Sequence, residues 1–356
     1  MGIPLVYLVS LFRKKEKQVP NQVQKIAIFA FAAIGDSILS ASLFPVLKQK
    51  FPGAKITVFA SKANAAIYPL LQGYDELIIL PVTKPWLAIR LLRNHFFDLL
   101  IDTSQWSRIA ALYSYLAKAR FKIGFQTQGQ YRHFPYDQVI EHSARCHELE
   151  NFQKLLGPDS KNTPPIFDLE GIQSVSLDSL RMDITKPYIV LHPWASGAHY
   201  QMREWPKEYW IALAKWLLRQ SIPIVITGSD QDLIRATDLA KQIDQGKIAT
   251  MIFISAGRMS LTQTAKIILG AQAVVSVNTG IAHLADQLQI PTIFLNGPTD
   301  ALRWGALGSQ SHNLSVTKDQ GGAFLNLGFE YPRKPTYLMS KISVQEVENA
   351  LRDIAP

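Results

Sequence analysis

Cysteine is nearly absent from this sequence, in which Cys146 is the single one among 356 residues. An intrachain disulfide therefore cannot form, and a Cys-x-x-Cys metal-binding motif is excluded as well. A chain without disulfides fits the reducing cytoplasm best, so we expect a cytoplasmic protein. We interpret Cys146 as a small apolar residue on a helix.

Acidic residues are too few to balance the basic ones, since 28 Asp and Glu against 37 Lys and Arg leave a net charge of +9. This excess favours an anionic partner, such as nucleic acid, a nucleotide, a phosphorylated sugar or an acidic membrane. The basic residues are spread along the chain, without a long Lys/Arg block or a nucleic-acid-binding signature. Nucleic acid is therefore the weakest of these partners, and we expect none.

Several catalytic motifs are missing too. The sequence contains no G-x-x-x-x-G-K-S/T loop, no H-E-x-x-H pair and no G-x-S-x-G turn. These absences exclude the P-loop and simple hydrolase classes. No cluster of His, Cys and Asp suggests a catalytic metal, so we expect neither a metal nor a cofactor.

Residues 1–24 contain the apolar run Ile3–Phe12, which is too short to span a bilayer. Because charges follow this run and no small-residue cleavage site is evident, we do not expect a signal peptide. Four apolar residues share one helical face and four basic residues follow them: Leu5, Leu8, Val9 and Phe12, then Arg13, Lys14, Lys15 and Lys17. This amphipathic extension suits an interfacial membrane anchor, and a helix docked on the protein itself explains it equally well.

From Lys25 onward, strand-like apolar runs alternate with helical periodicity, as in "KIAIFAFAAIGD", "SILSASLFPVLKQKFP" and "KITVFAS". After a less regular region that contains the inter-domain connection, the alternation restarts at "YIVLHPW". The pattern predicts two Rossmann-like, doubly wound α/β domains, 25–180 and 187–340, and a C-terminal helix in 341–356. Ser343 is the expected cap of that helix.

Ligands of open α/β sheets bind beyond the carboxyl ends of the strands, so two facing halves form a cleft and candidate residues should follow strands. Asp36 follows the first strand, in "AIGDSILSAS". It is either the N-cap of a helix that begins near Ser37 or a general base that reaches an acceptor hydroxyl. Spacing alone favours the cap.

Two further candidates follow strands of the second half. Arg203 precedes a helix that opens near Pro206 and could bind a phosphate, although a solvated arginine is the plainer interpretation. Asp230 and Asp232 follow "IPIVITGS" and could bind ribose hydroxyls or simply complement the helix dipole.

The segment "SVNTGIAHLAD" is the most informative one. Thr279 and Gly280 would offer backbone N–H groups at the start of a helix, and His283 lies one turn further on. Such a helix start could bind a diphosphate and stabilise it as a leaving group. A capped helix with a packed His283 is the structural alternative.

Four segments, taken in order, resemble the ADP-heptose:lipopolysaccharide heptosyltransferase family, glycosyltransferase family 9, which has a GT-B fold. They are "KIAIFAFAAIGDSILSASLFPVLKQKFPGAKITVFAS", "FDLLIDTSQWSRIAAL", "YIVLHPWASGAHYQMREWPKEYW" and "AVVSVNTGIAHLADQLQIPTIFLNGPTD". The resemblance runs over roughly residues 25 to 355, and the order of the segments is more specific than any single motif.

The resemblance implies a role for each candidate. Asp36 takes the place of the catalytic base, and Arg203 that of a donor-phosphate cation that is usually Lys. The remaining donor-binding positions are Asp232 at the ribose, Met259 at the adenine, and Asn278, Thr279, Gly280 and His283 at the diphosphate and sugar. The family usually has Asp-Thr-Gly where this chain has Asn278-Thr279-Gly280, and that Asp is associated with the donor sugar.

The resemblance therefore implies an inverting glycosyltransferase of bacterial lipopolysaccharide biosynthesis, cytoplasmic and peripheral on the inner membrane. It would move a heptose or related sugar from an ADP-sugar to a glycolipid acceptor of the lipopolysaccharide-core type. Six basic residues of the first half could attract a phosphorylated acceptor, or singly be solvated charges: Lys62, Lys84, Arg90, Arg93, Arg120 and Lys122. The alternatives are a different nucleotide sugar and a nucleotide-sugar-binding protein without catalysis.

Overall fold

The computed structural model describes residues 4, 7, 8, 16–160, 163–180, 187–244, 249–334 and 336–355. Residue contacts divide the chain into two units, unit 1 at Met1–Asp168 and unit 2 at Leu169–Pro356. The sequence analysis placed the stretch up to residue 180 in the first domain. The helix Leu169–Ser174 instead packs against a helix of unit 2, at Leu261–Leu269.

Unit 1 contains a sheet of six parallel strands in the order β3-β2-β1-β4-β5-β6. Its strands are β1 (Lys25–Ala30), β2 (Lys55–Ala60), β3 (Glu76–Ile79), β4 (Phe96–Asp102), β5 (Lys118–Gln126) and β6 (Gln138–Glu141). Its helices are α1 (Ile34–Ser40), α2 (Leu43–Lys50), α3 (Pro85–Arg93), α4 (Arg108–Leu116) and α5 (Glu148–Lys154), with 3-10 turns at Ala65–Leu70 and Pro158–Ser160.

Unit 2 repeats the arrangement in a second parallel sheet, ordered β12-β11-β10-β7-β8-β9. Its strands are β7 (Ile189–His192), β8 (Ile224–Ile226), β9 (Ile252–Ile254), β10 (Ala273–Val277), β11 (Thr292–Asn296) and β12 (His312–Ser315). Its helices are α6 (Leu169–Ser174), α7 (Lys207–Arg219), α8 (Leu233–Asp244), α9 (Leu261–Leu269), α10 (Gly280–Gln287), α11 (Ala301–Trp304) and α12 (Val344–Ile354). Short 3-10 turns lie at Asp178–Leu180, Tyr200–Arg203, Asp230–Asp232, Ala249–Met251 and Leu338–Lys341.

The central strands are apolar on both faces because helices cover both sides of each sheet. In β10, for example, all five residues of "AVVSV" are buried. This continuous burial is the reason why the strands appear in the sequence as apolar runs without alternation. The predicted fold class, two Rossmann-like doubly wound domains, is confirmed.

Each sheet has a switch point, where the strand order reverses and neighbouring connections leave in opposite directions. It lies between β1 and β4 in unit 1 and between β7 and β10 in unit 2. The crevice beyond the carboxyl ends of two such strands is the usual ligand site of a doubly wound sheet. The residues that follow these four strands are therefore the candidates for binding a ligand.

Three local predictions need correction. Helix α1 begins at Ile34 with Ala33 as its N-cap, so Asp36 is not the cap. The expected single helix after β1 is divided into α1 and α2. Cys146 lies before α5, whose N-cap is His147, and not on a helix. The cap of the last helix is confirmed, since Ser343 Oγ accepts from the Glu346 N–H.

Half of the N-terminal extension, 1–24, lies outside the described residues, including three of the four apolar positions that were expected to share a helical face. The Tyr7 ring packs edge-on against Phe134, with 5.2 Å between ring centroids. Leu8 is exposed. Within the ranges given above, no helix is both long and apolar enough to cross a membrane.

Candidate active-site residues

Asp36 lies at the switch point of unit 1, in the first turn of α1. Its Oδ2 accepts from the Ala33 N–H at 3.2 Å, and its Oδ1 accepts from Gln105 Nε2 at 2.7 Å. The side chain is half-buried. One backbone donor and one side-chain donor therefore fix the direction of the carboxylate, which is what a general base requires before its substrate binds.

Gln105 was missed by the sequence analysis. It follows β4, the other strand of the switch point, and is 4% exposed. Thr127 Oγ1 donates to its backbone carbonyl. The signal was available in "IDTSQWS", because the first polar side chains after β4 must lie beside those that follow β1.

A buried ion pair fixes the segment that contains Gln105. Arg132 and Asp102 are both fully buried and lie 2.7 Å apart, Nη2 to Oδ2. Arg132 also donates to the carbonyls of Ser104 and Ser107, on either side of Gln105. Tyr136 Oη donates to Asp102 Oδ2 at 2.6 Å, and burial raises the pKa of this phenol well above 10. The pair thus anchors the loop after β4 to the sheet.

The turn between β1 and α1 is fixed by a second buried group. Asn64 is fully buried, and its Nδ2 donates to the Ala30 carbonyl and to Ser37 Oγ, both at 2.7 Å. Ala30 ends β1, and Ser37 follows Asp36 directly. The backbone on both sides of the candidate base is therefore held by one amide.

In unit 2, Arg203 ends the 3-10 turn that follows β7. Its Nη2 donates to the Ser196 carbonyl, whereas its buried Nε has no hydrogen-bond partner within the described part of the chain. The side chain is half-buried. The pKa of Tyr331 is raised by burial, an effect that the nearby Arg203 charge opposes. Hydrogen bonds to other described residues thus occupy only part of the Arg203 guanidinium.

The Asp232 carboxylate accepts hydrogen bonds within its own turn. Its Oδ2 accepts from the Ser229 N–H at 2.9 Å and from Ser229 Oγ at 2.6 Å, which caps the start of the segment leading into α8. Arg235 lies 3.7 Å from Oδ1 and stacks over the Trp194 ring at 4.4 Å. Trp194 and Arg235 also line a cavity of about 240 Å³ beside α7 and α8.

Asn278 follows β10 directly and donates both of its amide hydrogens. Its Nδ2 lies 2.7 Å from Asn296 Oδ1 and 2.7 Å from the Trp304 carbonyl. Because a backbone carbonyl can only accept, the Trp304 contact fixes which end of the amide is the nitrogen. A carboxylate at this position would face that carbonyl without a hydrogen to donate to it.

Thr279 is the N-cap of α10, and Gly280 is its first residue. The Thr279 side chain makes no capping bond, and its buried Oγ1 has no hydrogen-bond partner among the described residues. His283 is 4% exposed and packs edge-on against Phe294 at 5.4 Å. The start of α10 therefore combines backbone N–H groups that have no acceptor within the helix with a hydroxyl that has no partner in the described part of the chain.

Met259 lies in the turn between β9 and α9, and it is half-buried. The structure thus brings all predicted donor residues to the carboxyl edge of one sheet. Arg203 and the Asn278–His283 segment flank the switch point, while Asp232 and Met259 follow the next strands outward.

His192, the last residue of β7, is a second group that the sequence analysis missed. Burial lowers the pKa of this imidazole from 6.5 to about 4, an effect that Asp232 opposes. Its Nδ1 lies 2.9 Å from Thr227 Oγ1. The imidazole is therefore neutral at physiological pH. In the part of the chain that the structure describes, no three His, Cys, Asp or Glu side chains cluster as metal ligands would.

Comparison with known proteins identifies the family of this chain. The sequence profile of glycosyltransferase family 9 (heptosyltransferase) matches residues 86–324, more than half of the chain. Lipopolysaccharide heptosyltransferase 1 of Pseudomonas aeruginosa is 36% identical over 149 residues, 40% of this chain and 39% of that protein. Lipopolysaccharide heptosyltransferase 2 of Salmonella typhimurium is 24% identical over 294 residues, 77% of this chain and 83% of that protein.

A solved structure, that of E. coli ADP-heptose lps heptosyltransferase II, superposes with a TM-score of 0.75 at 20% identity, covering 93% of this chain and 98% of that chain. At that identity the structural match supports the fold, whereas the profile match establishes the family. The chain belongs to glycosyltransferase family 9, the heptosyltransferases, and is a glycosyltransferase.

Proposed function

We propose that this enzyme moves a heptose from ADP-heptose to a hydroxyl of a lipopolysaccharide-core-type glycolipid, with inversion at the anomeric carbon. The observation that carries the proposal is the placement of the candidate groups. Asp36 lies at the switch point of one sheet, and Arg203 and Thr279 flank the switch point of the other. The names of the relatives support the sugar and the acceptor class.

In the proposed reaction, Asp36 takes the proton of the acceptor hydroxyl as the oxygen attacks the anomeric carbon in line. The bond between that carbon and the diphosphate oxygen breaks, and ADP leaves with the electron pair. Gln105 would hold the Asp36 carboxylate in one direction, so that the carboxylate faces the acceptor hydroxyl. Gln105 is thus proposed as a positioning residue.

The leaving diphosphate would be bound by Arg203 and by the N-terminus of α10. The unpartnered Thr279 Oγ1 and the free N–H groups that begin at Gly280 are donors that a phosphate oxygen can use. These donors stabilise charge that grows as ADP departs, which lowers the barrier. His283 would support this helix start from within. Asp232 and Met259 are proposed at the ribose and the adenine.

Asn278 is the reason why a second nucleotide-sugar substrate remains in the proposal. Its amide nitrogen is used by Asn296 and Trp304, so only its oxygen can meet the donor sugar. An oxygen that accepts without charge would suit a sugar that differs from the one the family's Asp recognises. We therefore keep a different nucleotide sugar as the alternative substrate.

The partners of the proposed reaction are a nucleotide-sugar donor and a glycolipid acceptor. An acceptor with lipid chains lies in a membrane, so the enzyme is proposed to work in the cytoplasm at the inner-membrane surface. The net charge of +9 supports attraction to phosphorylated or anionic surfaces.

A panel of ADP- and UDP-sugars tests the donor through thermal unfolding, because a ligand that binds the folded state raises the melting temperature. We expect ADP-heptose to stabilise the protein selectively. Stabilisation by another nucleotide sugar alone would reassign the donor and retain the mechanism. Transfer of labelled sugar to extracted glycolipid then separates an enzyme from a binding protein that has lost catalysis, since binding without transfer contradicts the proposal.

A further inference from the structure

Helix α3 presents large apolar side chains to solvent. Trp86 is 83% exposed and Leu87 is 49% exposed, both in the first turn of the helix. The opposite side of α3 is buried, since Ala88 and Leu92 pack in the core of unit 1. The outward tryptophan is therefore not needed to hold the helix on the sheet. Large exposed apolar groups next to charge are typical of interaction surfaces.

The same helix is strongly basic. Trp86, Arg90 and Arg93 are spaced i, i+4 and i+7, which places them on one helical face, and Lys84 precedes the helix. The stretch 83–97 contains no Asp or Glu. All three basic residues are exposed, and none forms an ion pair with another described residue. Their charge is thus available to an external anion.

The sequence on either side of α3 has few acidic residues. Between residues 77 and 136 the sequence has two acidic residues, Asp98 and Asp102. Asp102 is buried against Arg132, and Asp98 accepts from the backbone N–H groups of Gln24 and Lys25. Asp98 also lies 3.6 Å from Arg120 Nη1, so both carboxylates are engaged by partners outside α3.

Exposed apolar side chains also lie at the start of the neighbouring helix α4. Trp106 just before it is 47% exposed and Ile109 in its first turn is 40% exposed. The two helices are in direct contact, and Tyr113 Oη on α4 donates to the Val82 carbonyl just before α3 at 2.8 Å. Both helix starts also leave the carboxyl edge of the sheet, the edge that carries Asp36.

We propose that α3 is the membrane-docking surface of this enzyme. Trp86 and Leu87 insert at headgroup depth, while Lys84, Arg90 and Arg93 contact the phosphates of anionic lipids. Tryptophan prefers the membrane interface, and exposed lysines and arginines bind anionic lipid surfaces. A second copy of the chain does not suit this surface, because it would bring the same positive charges together. The inference deepens the membrane location in the proposed function.

Vesicle co-sedimentation of the full chain tests this surface without donor or acceptor. Vesicles of equimolar phosphatidylcholine and phosphatidylglycerol are compared with vesicles of phosphatidylcholine alone. We expect binding to the anionic vesicles, weakened about tenfold in a Trp86→Ser/Leu87→Ser variant and about tenfold in a variant with Lys84, Arg90 and Arg93 changed to Gln. The matched apolar control is Ile234→Ser/Leu302→Ser, whose residues are 83% and 56% exposed in unit 2.

Wild-type affinity in both α3 variants, with binding lost instead when Arg13, Lys14 and Lys15 are changed to Gln, would overturn the proposal in favour of the N-terminal extension. A wild-type dimer that the Trp86→Ser/Leu87→Ser change dissociates, without loss of vesicle binding, would assign the surface to self-association. We expect the Trp86→Ser/Leu87→Ser variant to keep transfer to a delipidated, water-soluble acceptor. If wild type binds vesicles through α3 but transfers no sugar, the proposed reaction fails and the docking surface stands.

Discussion

Unit 1 and unit 2 share a strand order but hold their candidate residues differently. In unit 1 the Asp36 carboxylate accepts from Gln105, and a fully buried Arg132–Asp102 pair anchors the Gln105 segment. In unit 2 the buried Thr279 Oγ1 and Arg203 Nε have no hydrogen-bond partner among the described residues. Protein groups orient the candidate base of unit 1, whereas two candidate donor-binding groups of unit 2 are not satisfied by other described residues. Unit 1 also has one such group near its switch point, because Ser104 Oγ is buried without a partner among the described residues.

The difference matches what each proposed role demands. A base must point at its target before the acceptor arrives, so protein groups should orient it. A donor-binding group gains most when it bonds to the ligand alone, because an internal partner would compete with the phosphate. Leaving a buried donor unsatisfied costs about 1–3 kcal/mol, so such groups are expected where a ligand repays the cost.

The largest effect is expected for Asp36→Asn. The amide keeps the shape but cannot take a proton, so kcat should fall about a thousandfold or more, while donor affinity stays unchanged because the donor groups belong to unit 2. Labelled-sugar transfer and donor binding by calorimetry measure the two effects. Asp168→Asn, in the same unit and away from the switch point, serves as the control. Near-normal turnover in Asp36→Asn would remove Asp36 from the mechanism.

Thr279→Val tests the other side of the comparison. The Thr279 hydroxyl makes no hydrogen bond with another described residue, so its loss should leave the free energy of unfolding unchanged within about 0.5 kcal/mol. A hydrogen bond to the charged diphosphate should be lost, which weakens donor affinity by about 10–100-fold.

The matched control is Thr227→Val, because Thr227 Oγ1 contacts His192 Nδ1 at 2.9 Å. Here we expect a loss of about 1–3 kcal/mol in unfolding free energy and an unchanged donor affinity. If the two threonine variants lose stability equally, the Thr279 hydroxyl has a structural role and the contrast between the units disappears.

The fold could be predicted from the sequence because the signals for its strands and helices are local. Apolar runs of strand length alternate with helical periodicity, and Ser343 and Glu346 have the spacing of a capping box. The start of α1 gave no such signal, since its N-cap is Ala33, which has no capping side chain. The expected start at Ser37 was therefore three residues late.

The candidate site could be predicted only in part, because its side chains contact residues that are distant in sequence. Gln105 is 69 residues from Asp36, and the partners of Asn278 lie 18 and 26 residues further along the chain. Spacing placed Asn278 at a helix start but could not show that β11 and α11 use its amide nitrogen. The roles of the site residues themselves stay predictions.

Gln105→Leu tests whether Gln105 positions the Asp36 carboxylate in unit 1. Losing the 2.7 Å contact leaves Asp36 less well oriented, so kcat should fall about tenfold, with little change in the KM of either substrate. In Gln105→Glu, a second carboxylate beside Asp36 disfavours its ionised form, which should move the acidic limb of the pH–rate profile to higher pH. Gln128→Leu, at an exposed position next to Thr127, is the control. Equal profiles for Gln105→Glu and wild type would limit Gln105 to a structural role.

The smallest effect concerns His192, which is buried in unit 2 and has its pKa lowered to about 4. Below about pH 6.5 the unfolded chain binds a proton here that the folded chain does not accept until about pH 4. Stability therefore falls as the pH falls through this window, by about 1 kcal/mol between about pH 7.5 and 5.5. His192→Gln should remove that part of the pH dependence in urea unfolding, because glutamine can still bond to Thr227 but does not titrate. Identical pH dependence in the two proteins would mean that the imidazole charges within the folded state, and unit 2 would then tolerate a buried cation beside its donor site.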